Sequence, residues 1–295
     1  MRALALVLRR LRNGCARSLL AIFGWGWKPG PMSNVQRIVI IEMTRLGDVI
    51  AASALLAPLR RAYPEAGLEW IGQEPYGALF KNEGLTYHAL PAGGIAFLKA
   101  AWAWRGALRD PALLLVSASP ALRHTVLVWL ARPGRACGYL FPRASKLLEY
   151  DAPAPLQALG GGWKNSAELP KGLHMVQRAA LALDVAGIDS HGLTPALAAA
   201  TQRQPQRVVL HAGANWDRRR WPLERFVQLG GALAQRGFEI ELIAAEAGEP
   251  GPLAPGLTRV EGLNLSALRD HLAAATLFIG NDSGPLHLAA ALGTP

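Results

Sequence analysis

The chain has 295 residues, of which 51% are hydrophobic and 18% are charged. This composition supports a sizeable core and excludes general disorder, and the length allows one large domain or two of ordinary size. The formal net charge is +10. Cys15 and Cys137 lie far apart, which argues against a disulfide scaffold and a cysteine zinc site and fits a reducing compartment.

The positive charge is concentrated at the N-terminus. Residues 1–31 contain six basic residues and no acidic one, so the remainder of the chain carries a net charge of only +4. Arginines interrupt the apolar residues, so no uninterrupted run approaches the ~20 residues of a spanning helix. Charges in mid-segment also match a secretory signal poorly. Two interpretations stay open: a basic amphipathic helix on an anionic membrane surface, or a leader that precedes a start at Met32.

Strand-like and helix-like runs alternate from residue 37 onward. Residues 37–43 (RIVIIEM) predict a buried strand, residues 48–61 a helix and residues 67–72 (GLEWIG) a second strand. The next runs predict helices at 95–108, 121–130 and 174–186, strands at 113–116 and 136–139, and a loop at 142–172.

The alternation restarts near residue 207 and predicts strands at 207–211, 238–244 and 276–280 and helices at 222–236, 264–275 and 285–292. Alternating strands and helices predict an α/β fold with two doubly wound parallel sheets. The predicted parts are a basic N-terminal segment (1–31), a first Rossmann-like domain (32–190), a linker (191–206) and a second Rossmann-like domain (207–295). The cleft between the domains is the expected ligand site, and the second domain is expected to be incomplete.

The first motif, residues 45–49 (RLGDV), directly follows the first predicted strand. Gly47 permits a tight turn there, and Asp48 then lies at a helix start. Asp48 either caps the helix or presents a carboxylate that can take a proton from a hydroxyl. No G-x-G-x-x-G follows this strand, which counts against a nicotinamide dehydrogenase.

The second motif, residues 280–287 (GNDSGPLH), joins a strand to a helix with Pro near its start. Free N–H groups at such a helix start, together with Ser283 and Gly284, suit a phosphate or pyrophosphate. The alternative is an ordinary turn in which Asp282 or Ser283 caps the helix. His287, one turn further on, would then be a core histidine.

The third motif, residues 211–222, follows the first strand of the second domain and contains three arginines at 218–220. These could neutralise phosphates, or form a solvated basic loop. Two anion-suited loops at strand ends of one domain favour a shared ligand. The sequence has no P-loop, H-E-x-x-H, G-x-S-x-G or C-x-x-C motif, and no Asp-x-Asp pair to hold a metal–diphosphate.

Taken together, residues 45–49, 219–222 and 278–287 resemble glycosyltransferase family 9, the lipopolysaccharide heptosyltransferases. Residues 58–64 and 135–139 are similar as well. The likeness runs from about residue 36 to residue 295, and its last motif is the most specific. It implies a GT-B architecture of two Rossmann-like domains with an interdomain cleft.

The resemblance implies an inverting, metal-independent transfer of heptose from ADP-heptose to lipid A–Kdo or heptose of the inner core, at the cytoplasmic face of the inner membrane. No cofactor and no nucleic-acid partner are expected. Asp48 is similar to the family's catalytic base, and Arg219 stands where the family commonly has a Lys at the donor diphosphate. The implied nucleotide-sugar-binding residues are Gly213, Ala214, Arg219, Glu246 (ribose), Leu263 (adenine), Asp282, Ser283, Gly284, Pro285, Leu286 and His287.

The chain also departs from the family. Arg219 keeps the charge but not the shape of a Lys. The family continues past Pro295 with a strand and closing helices, so a C-terminal truncation is expected. Two alternatives remain: a GT-B glycosyltransferase with another nucleotide sugar or acceptor, or an inactive nucleotide binder at the membrane surface.

If residues 1–31 lie on the membrane, a chain that begins at Met32 will bind anionic liposomes more weakly than the whole chain, because it lacks six cations and two tryptophans. Co-sedimentation with phosphatidylglycerol vesicles measures the difference. Equal binding by the two chains would contradict the membrane-surface interpretation.

Overall fold

The computed structural model describes residues 34–119, 121–133, 135–140, 163–165, 174–184, 187–199, 202–214, 220–243 and 253–295. The predicted N-terminal segment 1–31 lies outside these ranges, as do Arg219 and Glu246. The described residues form two compact units, each with its own parallel sheet. The α/β architecture predicted from the sequence is thereby confirmed.

The first unit contains a six-stranded parallel sheet. Its strands are β1 (Arg37–Ile41), β2 (Gly67–Gly72), β3 (Thr86–Ala89), β4 (Leu113–Ser117), β5 (Arg135–Leu140) and β6 (Trp163–Asn165). They are arranged in the order β3-β2-β1-β4-β5-β6. The chain continues from β1 into helix α1 (Leu46–Ala52), which belongs to the second unit. The helices of the first unit are α2 (Leu56–Ala62), α3 (Gly94–Trp104), α4 (Leu122–Ala131) and α5 (Met175–Asp184).

The core of the first unit lies where α3 and α4 cover the sheet. Val39 of β1 and Leu115 of β4 are fully buried, as expected of central strands in a parallel sheet. Phe97 of α3 and Leu127 of α4 belong to the same cluster of buried side chains. This packing fixes which side of α3 faces inward.

The second unit contains a four-stranded parallel sheet. Its strands are β7 (Arg207–His211), β8 (Glu239–Ile243), β9 (Leu257–Val260) and β10 (Leu277–Gly280), in the order β10-β7-β8-β9. Its helices are α1, α6 (Leu223–Ala234), α7 (Leu265–Ala274) and α8 (Gly284–Ala291). Phe226 of α6 packs on the sheet beside Val208, Leu210, Ile240 and Leu242.

The compact units divide the chain differently from the predicted domains. Arg45–Ser53 and Pro75–Gly84 cluster with Thr194–Pro295. The contacts that hold Pro75–Gly84 there are specific: Lys81 Nζ lies 2.7 Å from Asp270 Oδ2, and the Glu83 carboxylate accepts the N–H of Ala198.

The helix predicted over residues 48–61 is interrupted. A 3₁₀ turn, Ser53–Leu55, separates α1 from α2, and Ser53 Oγ donates to the carbonyl oxygen of Ile50 at 2.7 Å. Pro58 explains the break, because proline lacks the N–H that a helix interior requires. Restarting the helix at Leu56 places Pro58 in the first turn of α2, where that N–H has no partner in any case.

In the described residues, no helix combines the length and the apolar character needed to cross a membrane.

Gly138→Ala is expected to lower the free energy of unfolding by ~3 kcal/mol or more. Gly138 has φ +111°, and an added Cβ would lie 2.1 Å from the carbonyl oxygen of Ser117 on β4. Chemical denaturation followed by circular dichroism measures the change.

Gly84→Ala is the matched control, because Gly84 also has positive φ, at +61°, but an added Cβ would meet no atom within 4 Å. Its expected cost is only ~1 kcal/mol, for the left-handed backbone alone. Equal costs for the two variants would contradict the steric argument.

Candidate functional site

The candidate site lies at the carboxyl edge of the second sheet. β10 pairs with β7 so that Gly280 is opposite His211, and the chain therefore leaves both strands at the same level. Ligands of open α/β sheets bind at this edge. The two loops that begin there are residues 212–221 after β7 and residues 281–283 after β10.

A single buried amide connects these two loops. Asn281 Oδ1 accepts the N–H of Trp221 at 2.9 Å, and Asn281 Nδ2 donates to the carbonyl oxygen of Ala212 at 2.7 Å. Asn281 is only 7% exposed. The side chain therefore holds the start and the end of the arginine-containing loop against the loop after β10.

The arginine-containing loop is also tied within itself. Arg220 Nη2 donates to the carbonyl oxygen of Ala214 at 2.9 Å. Gly213 is buried and Ala214 half-buried, directly after β7. Trp221 packs edge-to-face on Phe226, with 4.8 Å between ring centroids. The loop's two described ends are thereby fixed, and Arg219 lies in its undescribed part.

Helix α8 begins directly after the loop of residues 281–283. Ser283 is its N-cap residue, in extended backbone conformation, and Ser283 Oγ donates to the carbonyl oxygen of Asn281 at 3.0 Å. Gly284 and Pro285 open the helix. First-turn N–H groups have no acceptor inside a helix, and Pro285 carries none, so Gly284 and Leu286 can donate to an anion.

His287 and Asp282 stand beside this helix start. His287 Nε2 lies 3.8 Å from Asp282 Oδ1, and both side chains are about half exposed. The sequence left open a core position for His287, and the structure excludes it. The two side chains form an ion pair whenever His287 is protonated.

Helix α1 packs against the start of α8. A Cβ added to Gly284 would lie 2.7 Å from Leu46 Cδ2, and one added to Gly47 would lie 3.5 Å from His287 Cδ2. At 2.7 Å the end of the Leu46 side chain would have to shift to make room for a Cβ, so Gly284 permits this close approach. Asp48, the next residue after Gly47, is thereby placed close to the second motif.

Asp48 is half-buried in the first turn of α1. Its Oδ2 accepts the N–H of Arg45, the N-cap residue, in a long hydrogen bond of 3.4 Å. Its Oδ1 accepts no hydrogen bond from the described residues. Asp48 therefore caps the helix through one oxygen while its other oxygen stays available, and the two interpretations from the sequence are compatible.

The strand end beneath the loops carries an uncharged imidazole. Burial lowers the pKa of His211 below its usual value. Among the described residues, its buried Nδ1 has no hydrogen-bond partner, while its carbonyl oxygen accepts the N–H of Asn281 at 3.4 Å. His211 thus supports the loop through its backbone and adds no positive charge at neutral pH.

The remaining predicted residues are placed as follows. Leu263 is half-buried in the loop after β9, at the same edge of the sheet, and β8 separates β9 from β7. Glu246 lies outside the described residues.

Sequence reasoning assigned no role to Asn281, although an Asn directly after a buried strand end is a recognisable signal. The described ranges contain no group of three His, Cys, Asp or Glu side chains that could hold a metal ion.

Comparison with known proteins gives consistent matches. Residues 164–295 match the family model described as glycosyltransferase family 9 (heptosyltransferase). The chain is 27% identical over 283 residues to lipopolysaccharide heptosyltransferase 1 of Pseudomonas aeruginosa, a match that covers 88% of this chain and 77% of that protein.

Two solved structures show the same fold. The family 9 glycosyl transferase of Veillonella parvula has a TM-score of 0.69 at 17% identity, covering 90% of this chain and 80% of that one. The E. coli heptosyltransferase WaaC with ADP-2-deoxy-2-fluoro heptose has a TM-score of 0.62 at 19% identity, covering 88% and 87%. These structures support the GT-B architecture.

Asn281→Asp is expected to lower the free energy of unfolding by about 3 kcal/mol. The substitution keeps the acceptor for Trp221 but replaces the donor to Ala212 with a carboxylate oxygen that faces a carbonyl oxygen. Urea denaturation measures the loss.

Ser283→Ala is the control, because it removes one partly exposed hydroxyl from the same loop. Its expected cost is at most ~1 kcal/mol. An Asn281→Asp variant as stable as the native chain would show that the amide does not hold the loops together.

Proposed function

Because residues 164–295 match the family model of glycosyltransferase family 9 (heptosyltransferase), we propose that this chain belongs to that family and transfers a heptose from ADP-heptose to the inner core of lipopolysaccharide. The acceptor is lipid A–Kdo or a heptose bound to it, and the reaction inverts the anomeric centre with no metal at the diphosphate. The Pseudomonas aeruginosa relative, named as a lipopolysaccharide heptosyltransferase, supports the reaction class. The ADP-heptose analogue named with the E. coli structure suggests the donor.

The observation that carries this proposal is the junction of α1 with the N-terminus of α8. The N–H groups of Gly284 and Leu286 suit the negative charge that develops on the departing diphosphate. Ser283 and the turn at Gly213 and Ala214 complete the phosphate contacts, together with the arginine-containing loop.

Two arginines of that loop have distinct parts in the proposal. Arg219 takes the place of a diphosphate-binding lysine. Arg220 holds the loop through its hydrogen bond to the carbonyl oxygen of Ala214, which keeps the turn after β7 in position. A guanidinium suits a diphosphate because it donates two parallel hydrogen bonds to one phosphate.

Asp48 is the general base in this proposal. As the acceptor hydroxyl oxygen bonds to the anomeric carbon, Asp48 takes its proton, and the bond from that carbon to the diphosphate oxygen breaks. The products are the heptosylated acceptor and ADP. The position of Asp48 beside the contact of Gly47 with His287 supports this role, as does its available Oδ1. Base and leaving-group site then lie in one compact unit.

The remaining donor contacts complete the proposal. Leu263 packs against the adenine, Glu246 reaches the ribose, and Asp282 with His287 borders the sugar side of the diphosphate. No cofactor takes part. The enzyme works at the cytoplasmic face of the inner membrane, with residues 1–31 on the anionic lipid surface.

Asp48→Asn is expected to reduce kcat at least 10²-fold while the Kd for ADP changes less than about threefold, because the amide keeps the cap to Arg45 but cannot take a proton. ADP-heptose-dependent transfer to purified deep-rough lipid acceptors measures kcat, and calorimetry measures ADP binding. Simultaneous loss of transfer and ADP binding would mean that Asp48 is only structural.

Asp270→Asn provides the matched control. Asp270 is an acid of the same unit that pairs with Lys81 and Arg269 rather than with a residue of the two loops, and its substitution is expected to leave transfer unchanged. A panel of nucleotide sugars tests the donor, since turnover with another sugar and none with ADP-heptose would contradict the proposed substrate.

A further inference from the structure

Helix α3 of the first unit carries an exposed apolar stripe. In the described residues, four large hydrophobic side chains are exposed to solvent. Three of them lie on α3: Ile95 (73% exposed), Trp102 (57%) and Leu98 (52%). Spacings of three and four residues place them on one side of the helix. The stripe is therefore a continuous surface, which we call the α3 stripe.

The residues of the α3 stripe do not pack into the core of the first unit, because another side of the helix does so. Phe97 and Ala101, on the other side of α3, are 4% and 0% exposed and already pack into the core of the first unit. At about 100° per residue, Ile95 and Trp102 lie far around the helix from Phe97. The helix thus has two apolar sides, and the described residues of its unit cover only one of them.

The charged residues of α3 and of the position that follows it, Lys99 and Arg105, are both positive. The guanidinium carbon of Arg105 lies 3.9 Å from the ring centroid of Trp102, and Lys99 follows Leu98 on the other border. Residues 91–109 contain three basic residues and no acidic one. Tryptophan beside a cation suits the boundary between lipid headgroups and acyl chains.

We propose that the α3 stripe docks on an anionic phospholipid bilayer. Ile95, Leu98 and Trp102 enter the headgroup–acyl boundary, and Lys99 and Arg105 contact lipid phosphates. A second copy of this chain fits less well, because a twofold contact would bring two copies of the same positively charged surface together. The proposal goes beyond sugar transfer and rests on side chains of α3, not on residues 1–31.

The proposed binding is shallow and reversible. Three side chains offer far less apolar area than a spanning helix, and the lysine and arginine act over a short distance that salt reduces. The backbone of α3 is already paired inside the helix, so the helix can lie in the interface without exposing unpaired peptide groups.

A fluorophore on α3 of the full-length chain tests the geometry directly. In a Cys15→Ser background, Leu98→Cys and Ala103→Cys are each labelled with an environment-sensitive dye. Both positions are exposed, but only Leu98 lies on the stripe. Cys137 does not interfere, because it is fully buried and burial raises the pKa of its thiol to about 12.

Vesicles of phosphatidylglycerol and phosphatidylethanolamine are expected to shift the emission of the dye at position 98 to the blue and leave the dye at position 103 nearly unchanged. Vesicles of phosphatidylcholine are expected to shift neither. No shift at position 98, or equal shifts at both positions, would overturn the proposal.

A second measurement uses unlabelled full-length chain. Leu98→Ser with Trp102→Ser is expected to weaken co-sedimentation with the anionic vesicles about tenfold, and Ala103→Ser to leave it unchanged. Unchanged binding of the double variant would refute a lipid-docking stripe. Light scattering would also refute the proposal if the native chain were a dimer and the double variant a monomer while vesicle binding stayed the same. That result would identify the stripe as a contact between two copies of the chain.

Discussion

The candidate site depends on the hydrogen bonds of one buried amide. Asn281 can accept from Trp221 and donate to Ala212 at once because it stands where β10 ends beside β7. A buried donor or acceptor without a hydrogen-bond partner lowers the stability of the fold. Separating the two loops would leave the Asn281 amide unpaired, so its hydrogen bonds hold the loops together. The two loops that carry the proposed anion-binding groups thereby meet at one edge of the sheet. The register of two neighbouring strands thus determines where these loops lie.

The inner strands of both sheets could be predicted from the sequence, whereas of the edge strands only β10 could. β1 and β4 are buried on both faces, so their sequences are continuous apolar runs. β3, β6 and β9 lie at the edges of the two sheets, and none was predicted. Two of these strands, β3 (Thr86–Ala89) and β9 (Leu257–Val260), are partly exposed and contain polar residues. They therefore lack the continuous apolar run that predicts a buried strand.

Features of the site that depend only on neighbouring residues could likewise be predicted from the sequence. Gly284 and Pro285 predict a helix start, and Asp48 predicts a cap, because turn and cap preferences act within a few residues. The role of Asn281 was not visible, since its partners are 60 and 69 residues away in the chain. The packing of Leu46 against Gly284 joins residues still further apart. Such contacts follow from the topology of the sheet rather than from any neighbouring residue.

The path of the chain between the two compact units has a consequence for biosynthesis. The chain passes from one unit to the other five times, and residues 45–53 and 75–84 belong with residues synthesised much later. Until Thr194–Pro295 leaves the ribosome, buried residues such as Val49 and Leu79 lack the partners of their own unit. Long-range closure of this kind slows folding and leaves apolar surface open during translation. We therefore expect the nascent chain to be prone to aggregation until residues 194–295 have been synthesised.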